Sequence, residues 1–226
     1  VATFREALEL RRDGINGRII VFSDCAPWTS EKAALCRRER LEPVLSEVLS
    51  LLEFQKTTRG DIEAHIEVNT GMNRMGIPAD SLSLVRFIPK SVFTHLADAD
   101  NPKAKLTRQQ IKNFEDVASW ARSKYPRADL HFANSSTLWN AKQYPLLKQM
   151  SVVRPGLSLY GVRPFDGTQD RGLKRVMEFS LPVLNRVYLE SGDQVGYGGT
   201  YTCRKKSGEW VSILGGGYAD GVFRSL

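Results

Sequence analysis

Residues Ser91–Ala133 read SVFTHLADADNPKAKLTRQQIKNFEDVASWARSKYPRADLHFA, and the fold is legible from this stretch. Ser91–Leu96 (SVFTHL) is a short run of apolar, β-branched and aromatic residues, the pattern of a buried strand. A polar loop follows it, Ala97-Asp98-Ala99-Asp100. Thr107–Lys124 then sets Ile111, Phe114, Val117, Ala118 and Ala121 at the spacing of one helix face. Ala128–Ala133 (ADLHFA) returns to an extended apolar run. Strand, loop, helix, strand is the signature of parallel βα units.

The same rhythm extends in both directions. Toward the N-terminus, helical patterns at Val1–Arg12, Ser30–Arg40, Ser46–Gln55 and Pro78–Phe87 alternate with extended runs at Arg18–Ser23, Leu41–Leu45 and Ile62–Asn69. Gly14 and Gly17 close the first helix, and Ser30 is a plausible cap for the second. Toward the C-terminus, Ser136–Gln143 reads as helix and Ser151–Val153 opens another strand. The expectation is an α/β chain with a partial (β/α)8 TIM-type barrel over residues 1–164. After Pro164 the pattern changes. EFSLPVLNRVYLE, VGYGGTYT and WVSILGGGYAD follow one another without long helices. They read as antiparallel strands beginning a β-rich C-terminal domain, residues 165–226, joined through a polar linker at Phe165–Lys174.

Bulk properties narrow the function. The chain has 226 residues, 42% hydrophobic and 25% charged, an ordinary composition for a soluble globular protein. A net charge of +7 raises the question of acidic partners, but the basic pairs Arg11–Arg12, Arg37–Arg38 and Lys205–Lys206 are scattered. With no basic run and no interleaved aromatics, the charge reads as solvated surface, and no nucleic-acid partner is expected. Three cysteines without a CxxC pair point to reduced thiols, no metal site and a cytoplasmic setting. No apolar run is long enough to span a membrane, so no membrane partner is expected either.

Polar and glycine-bearing motifs fall where the strands end, which in a barrel is the active-site face. His65, Glu67 and Asn69 share one strand face, where a fully apolar core would not place three polar groups. Arg74 sits in the turn after them, either a surface arginine or one held inward by Glu67 and aimed at an anion. His95 ends one strand and is either structural or part of a site. Asn134 and Ser135 open a helix, which suits plain N-capping and also phosphate binding. Arg154 stands beside Gly156, which is either a rim turn or a close approach for phosphate to backbone amides. Tyr218 lies inside a glycine cluster, Gly215–Gly221, a weak match to a nucleotide loop but a reasonable way to present a tyrosine.

The order of these motifs is more telling than any one of them. VNTGMNRMGI, THLADAD, HFANSS, VRPGLSLYG, SGDQVGYGGTY and GGGYADGVFRSL occur in the order and spacing of alanine racemases, and the resemblance covers nearly the whole chain. It implies a barrel that binds pyridoxal 5′-phosphate (PLP), followed by a β domain, in a homodimer whose β domain completes the partner's site. Tyr218 then matches the family's catalytic tyrosine and Arg154 the arginine facing the pyridine nitrogen. Ser135, Gly156 and Leu157 match phosphate-binding positions, the last two through backbone N–H. Arg74 matches the arginine near the cofactor's phenolic oxygen and the substrate carboxylate. His95 and His131 match histidines packed around the cofactor and its arginine, and Asn134 lies in the same motif. The implied activity interconverts L- and D-alanine and supplies D-alanine for peptidoglycan. Related serine or broad-specificity racemases are the alternative. PLP carriers of the same barrel lack a β domain, and the TGMNRMG and GYADG pair favours a racemase over PLP decarboxylases.

Racemisation takes a proton from one face of the α-carbon and returns one to the other, which suits two opposed bases. In the family these are the PLP lysine and the tyrosine. The family's lysine motif, of the type AVVKANAYGHG, has no counterpart here. The chain is therefore expected to be a stretch of the enzyme that neither binds PLP covalently nor racemises by itself, or a non-catalytic PLP-binding fragment. One departure is informative. Where several members carry a carbamylated lysine beside the TGMxR turn, this chain has Glu67, which supplies negative charge without modification. A direct Glu67–Arg74 contact is expected.

Overall fold

The computed structural model describes residues 1–165 and 172–223, which fall into two units divided between Lys174 and Arg175. The first unit opens with α1 (Phe4–Arg12), capped by Thr3 and Glu6 in a reciprocal capping box. It then alternates: β1 (Ile19–Val21), α2 (Ser30–Glu39), β2 (Leu41–Leu45), α3 (Val48–Thr57) and β3 (His65–Glu67). It continues through β4 (Ser91–Phe93), α4 (Lys105–Lys124), β5 (Asp129–His131) and the short α5 (Ser135–Trp139).

The five strands pair in parallel in the order β1-β2-β3-β4-β5. Each crossover advances the sheet by one place in the same direction. A doubly wound sheet would reverse at a switch point, whereas a (β/α)8 barrel does not. This is the expected α/β architecture, with the sheet unclosed among the described residues. Strands β2, β3 and β4 are buried at every position, as expected when helices cover one face and the barrel interior the other. The core between sheet and helices gathers Leu45, Leu51, Phe54, Ile66, Val92, Phe114 and Phe132.

Several local expectations need correction. Thr29, not Ser30, caps α2, because its side chain already accepts from the Lys32 N–H. Residues Pro78–Phe87 form a 3-10 turn (Ala79–Leu84) rather than an α-helix. The helix expected at Ser136–Gln143 breaks after Trp139 into short 3-10 pieces. Ser151–Val153 is not assigned as a strand, although the Ser151 N–H donates to Leu130 O at 3.1 Å and the Arg154 N–H to Ala133 O at 2.8 Å. The segment follows β5 as a sixth strand would, but its alternate groups are not paired.

The second unit pairs β6 (Val183–Leu189) antiparallel with β9 (Glu209–Leu214), and β7 (Gln194–Val195) with β8 (Tyr201–Thr202). β6 starts only after Pro182, which has no N–H to give a ladder. Among this unit's described residues only Leu189 and Cys203 are buried. Most of the expected linker (166–171) and the end of the glycine–tyrosine motif (224–226) lie outside the described residues. Among those described, no helix is long and apolar enough to cross a membrane.

Candidate functional site

The site is built on the C-terminal ends of the parallel strands. Glu67 ends β3 and is buried. Beyond it, Asn69 organises the turn that carries Arg74. Its Oδ1 accepts from the N–H groups of Gly71 and Asn73 at 3.0 and 3.1 Å, and Asn73 adopts a left-handed φ of 56°. Gly76, at φ +107°, closes the turn against the strand. A Cβ there would stand 2.5 Å from the Asn69 backbone nitrogen, so only glycine fits. Arg74 is exposed on this turn and lines a cavity of about 290 Å³ together with Glu67, Phe93, His95 and Arg154.

Arg154 is the central cation of that cavity. One guanidinium nitrogen donates to His131 Nδ1, the other to Thr94 O at 2.9 Å, with His95 Nδ1 at 3.4 Å. Its plane lies over the Phe93 ring, 4.7 Å from the centroid. Burial pulls its pKa down to about 10, opposed by the charge of Glu67, so it stays a cation near neutral pH. A guanidinium only donates, so His131 Nδ1 must be a free lone pair. Burial first, then the Arg154 charge, hold His131 at about 2 and His95 at about 4, leaving both imidazoles neutral.

Burial raises the pKa of Glu67, while the charges of Arg154 and Arg74 oppose that rise. The expected direct contact with Arg74 is not formed. Among the described residues no ion pair joins them. Glu67 lies down in the sheet and Arg74 out on the turn, so the carboxylate faces both arginines through space instead of gripping one.

Ser135 and Gly156 come together as a second feature, with Leu157 between Gly156 and Ser158 in the chain. The buried Ser135 Oγ accepts from the N–H of Gly156 at 2.9 Å and of Ser158 at 3.2 Å. A Cβ on Gly156 would meet nothing within 4 Å, which leaves open space beside these amides. Asn134 caps α5, its Oδ1 accepting from the Thr137 N–H at 3.0 Å and from the Thr137 hydroxyl at 3.1 Å. Its carboxamide oxygen is therefore engaged locally.

Tyr218 belongs to the second unit, where it begins a 3-10 turn and is 77% exposed. The Gly217 N–H donates to Asp220 Oδ2 at 2.9 Å, and Gly221 ends the turn at φ +90°. Gly215 and Gly216 pack tightly: a Cβ on either would come within 3.0 Å of the Pro182 or Leu181 side chain.

Sequence reading missed three buried polar residues below Arg154: Glu42, His65 as a hydrogen-bonding partner, and Ser91. The signal was present, since Glu42 is a charge inside the apolar strand LEPVL. Thr94 was also missed, because its contribution is a backbone carbonyl, which no side-chain pattern encodes.

Comparison with known proteins gives a consistent result. Residues 1–164 match the alanine racemase N-terminal domain family model and residues 176–226 the alanine racemase C-terminal domain model. Among similar curated proteins, an alanine racemase of Staphylococcus carnosus is 31% identical and one of Mycolicibacterium vanbaalenii 30% identical; both are matched by 100% of this chain over 60% of their own length. An alanine racemase structure from D-cycloserine-producing Streptomyces lavendulae superposes with a TM-score of 0.78 at 28% identity, covering 97% of this chain and 60% of that one. A biosynthetic alanine racemase from Pseudomonas aeruginosa shares the fold, with a TM-score of 0.79 at 24% identity, over 100% of this chain and 62% of that one. The chain thus spans about 60% of the length of the curated relatives it matches.

Proposed function

Because the chain belongs to the alanine racemase family, we propose that it forms the arginine and phosphate side of the PLP pocket in a racemase that interconverts L- and D-alanine. The observation that supports this best is Arg154. It is a partly buried guanidinium, fixed by His131 and Thr94 O, lining a cavity that also receives Arg74 and Glu67. A pocket whose floor can only donate suits an aromatic nitrogen with a free lone pair. Ser135 Oγ accepts from the Gly156 and Ser158 N–H groups and keeps its own proton to donate, and the open space beside Gly156 suits a phosphate. On both counts the residues present fit PLP.

When bound, PLP supplies the electron sink that lets the α-proton leave. The chain's own residues do the rest. Arg154, which can donate but not accept a proton, would leave the ring nitrogen of bound PLP unprotonated, which would limit electron withdrawal and discourage transamination. Ser135, with the N–H groups of Gly156 and Leu157, would hold the phosphate, the Gly156 N–H exchanging Ser135 Oγ for a phosphate oxygen, while His95 and His131 pack neutrally around Arg154 and Asn134 secures the helix start beside them. Arg74 takes the substrate carboxylate, with Glu67 balancing the two positive charges. Tyr218, given by the partner subunit of a homodimer, holds or returns the proton at its phenol oxygen on one face of the α-carbon. A lysine outside this chain serves the opposite face; no lysine lines the cavity described. The proposed setting is the cytoplasm, with D-alanine passing to peptidoglycan synthesis.

The test is a chiral assay of the intact protein with L-alanine and L-serine. Alanine should racemise faster. The Arg154→Glu variant should racemise more slowly and release more pyruvate per turnover. A protein that binds PLP yet racemises neither amino acid, or an Arg154→Glu variant with unchanged rate and partition, would refute the assignment.

A further inference from the structure

Below Arg154 a line of buried polar side chains crosses the sheet. His131 Nε2 is 2.9 Å from Ser91 Oγ, and Ser91 Oγ is 2.7 Å from His65 Nδ1. His65 Nε2 is 2.9 Å from Glu42 Oε2, and Arg18 grips the same carboxylate with two bonds of 2.8 and 2.7 Å. His65, Ser91 and His131 are each at most 2% exposed and Glu42 is 7% exposed, while the Arg18 side chain is 52% exposed. The strand registers place its members: His65 stands beside Ser91 on β3 and β4, and Ser91 beside Asp129 on β4 and β5, with His131 two residues on from Asp129 and so on the same face.

The two ends of the line fix its polarity. Arg154 can only donate and an ionised Glu42 can only accept. With both imidazoles neutral and every group making both of its bonds, one arrangement remains. His131 accepts at Nδ1 and donates from Nε2 to Ser91. The Ser91 hydroxyl donates to His65 Nδ1. His65 then donates from Nε2 to Glu42. Every hydrogen bond points the same way, and such bonds polarise one another inside a protein. Arg18 grips Glu42 from the solvent side, with one hydrogen bond to each carboxylate oxygen.

We propose that Glu42 is a distal positioning residue, which through His65 and Ser91 sets the tautomer of His131 and so holds the Arg154 guanidinium in a single orientation. The hydrogen-bond chain stands on its own geometry, and its bearing on cofactor chemistry rests on the proposed function. Arg154 is anchored through its N–H on Ala133 O and one guanidinium nitrogen on Thr94 O, and His131 is the partner that holds the other guanidinium nitrogen. The relay transmits orientation across four strands without any of its distal members touching a ligand.

The experiment is NMR on the histidine- and arginine-labelled intact protein without added PLP. Only three histidines are present, so their rings are readily assigned. Long-range proton–nitrogen correlations should show His65 and His131 both protonated at Nε2 and free at Nδ1. The Arg154 guanidinium protons should be resolved and slow to exchange. In Ser91→Ala and in Glu42→Met those protons should exchange at least tenfold faster, and Ser91→Thr, which restores the hydroxyl, should recover the slow signal. A proton on Nδ1 of either histidine in the unmutated protein would overturn the proposal without any variant. Unchanged Arg154 exchange in folded Ser91→Ala and Glu42→Met would overturn it as well. These readouts need no racemase activity, so the relay and the proposed function can fail separately.

Discussion

At the residue scale, Glu42 shows how the environment decides what a carboxylate does. Burial works against its charge, but the hydrogen bonds from Arg18 and His65 outweigh burial and hold its pKa at about 2 against an ordinary 4.5. The sign of the consequence follows. A carboxylate whose folded pKa is depressed stabilises the fold in full above 4.5, and that contribution shrinks as pH falls from 4.5 toward about 2. The size is on the order of 3 kcal/mol. Glu42→Gln should therefore flatten the acid limb of the stability curve, read as urea midpoints measured across that pH range. An acid limb identical to that of the unmutated protein would remove this account of Glu42. The neighbouring Cys25 and Cys36 are also buried, and burial raises both thiols to about 12, so neither is a reactive thiolate at neutral pH.

At the scale of elements, α4 does more than cover the sheet. It buries Phe114, Val117, Ala118 and Ala121 along one stripe, and on the same face it carries Gln110, which is fully buried. Gln110 Oε1 accepts from the Ala97 N–H at 2.9 Å, and Nε2 donates to His95 O at 3.0 Å and to Thr70 Oγ1 at 3.3 Å. Asn113, three residues on and about one turn along the helix, donates to Thr70 O at 2.8 Å. The helix thus ties together the two loops that carry Arg74 and His95. Gln110→Leu keeps the volume and the helix propensity but leaves these backbone groups unpaired. It should cost roughly 1–3 kcal/mol, read from urea unfolding, because buried unsatisfied groups carry their full desolvation penalty. It should also loosen PLP binding. A loss below about 0.5 kcal/mol would show that the loops do not depend on this side chain.

At the scale of the whole molecule, the proposed dimer with shared sites makes a quantitative prediction. Arg154→Glu and Tyr218→Phe each disable a different half of a composite site. When the two variants are co-expressed and mix at random, half of the dimers pair unlike chains. In each of those, one of the two sites unites an intact Arg154 with an intact Tyr218. Activity should return to about a quarter of the unmutated level, although each variant alone has little. If the mixture is no more active than the sum of the two variants, Tyr218 does not act across the interface.

How much was legible in advance depended on the range of the interaction involved. The amino-acid sequence by itself determined the alternation of strands and helices, the change to β structure after the barrel segment, and the ordered motifs that place the chain in its family. Hydrophobic periodicity is a local property, and motif order survives without coordinates. Glu67 was rightly picked out as a carboxylate at a strand end, but its partner was misjudged, because sequence separation from Arg74 says nothing about the height of the turn above the sheet. Thr29 displaced Ser30 as a cap for a similar reason: both residue types can cap, and the backbone angles choose. Tertiary structure alone decided that Glu42, His65, Ser91 and His131, which come from four strands, form one directed line ending at Arg154. Parallel register brings together residues tens of positions apart, and a hydrogen bond depends on a few tenths of an ångström that no spacing along the chain encodes.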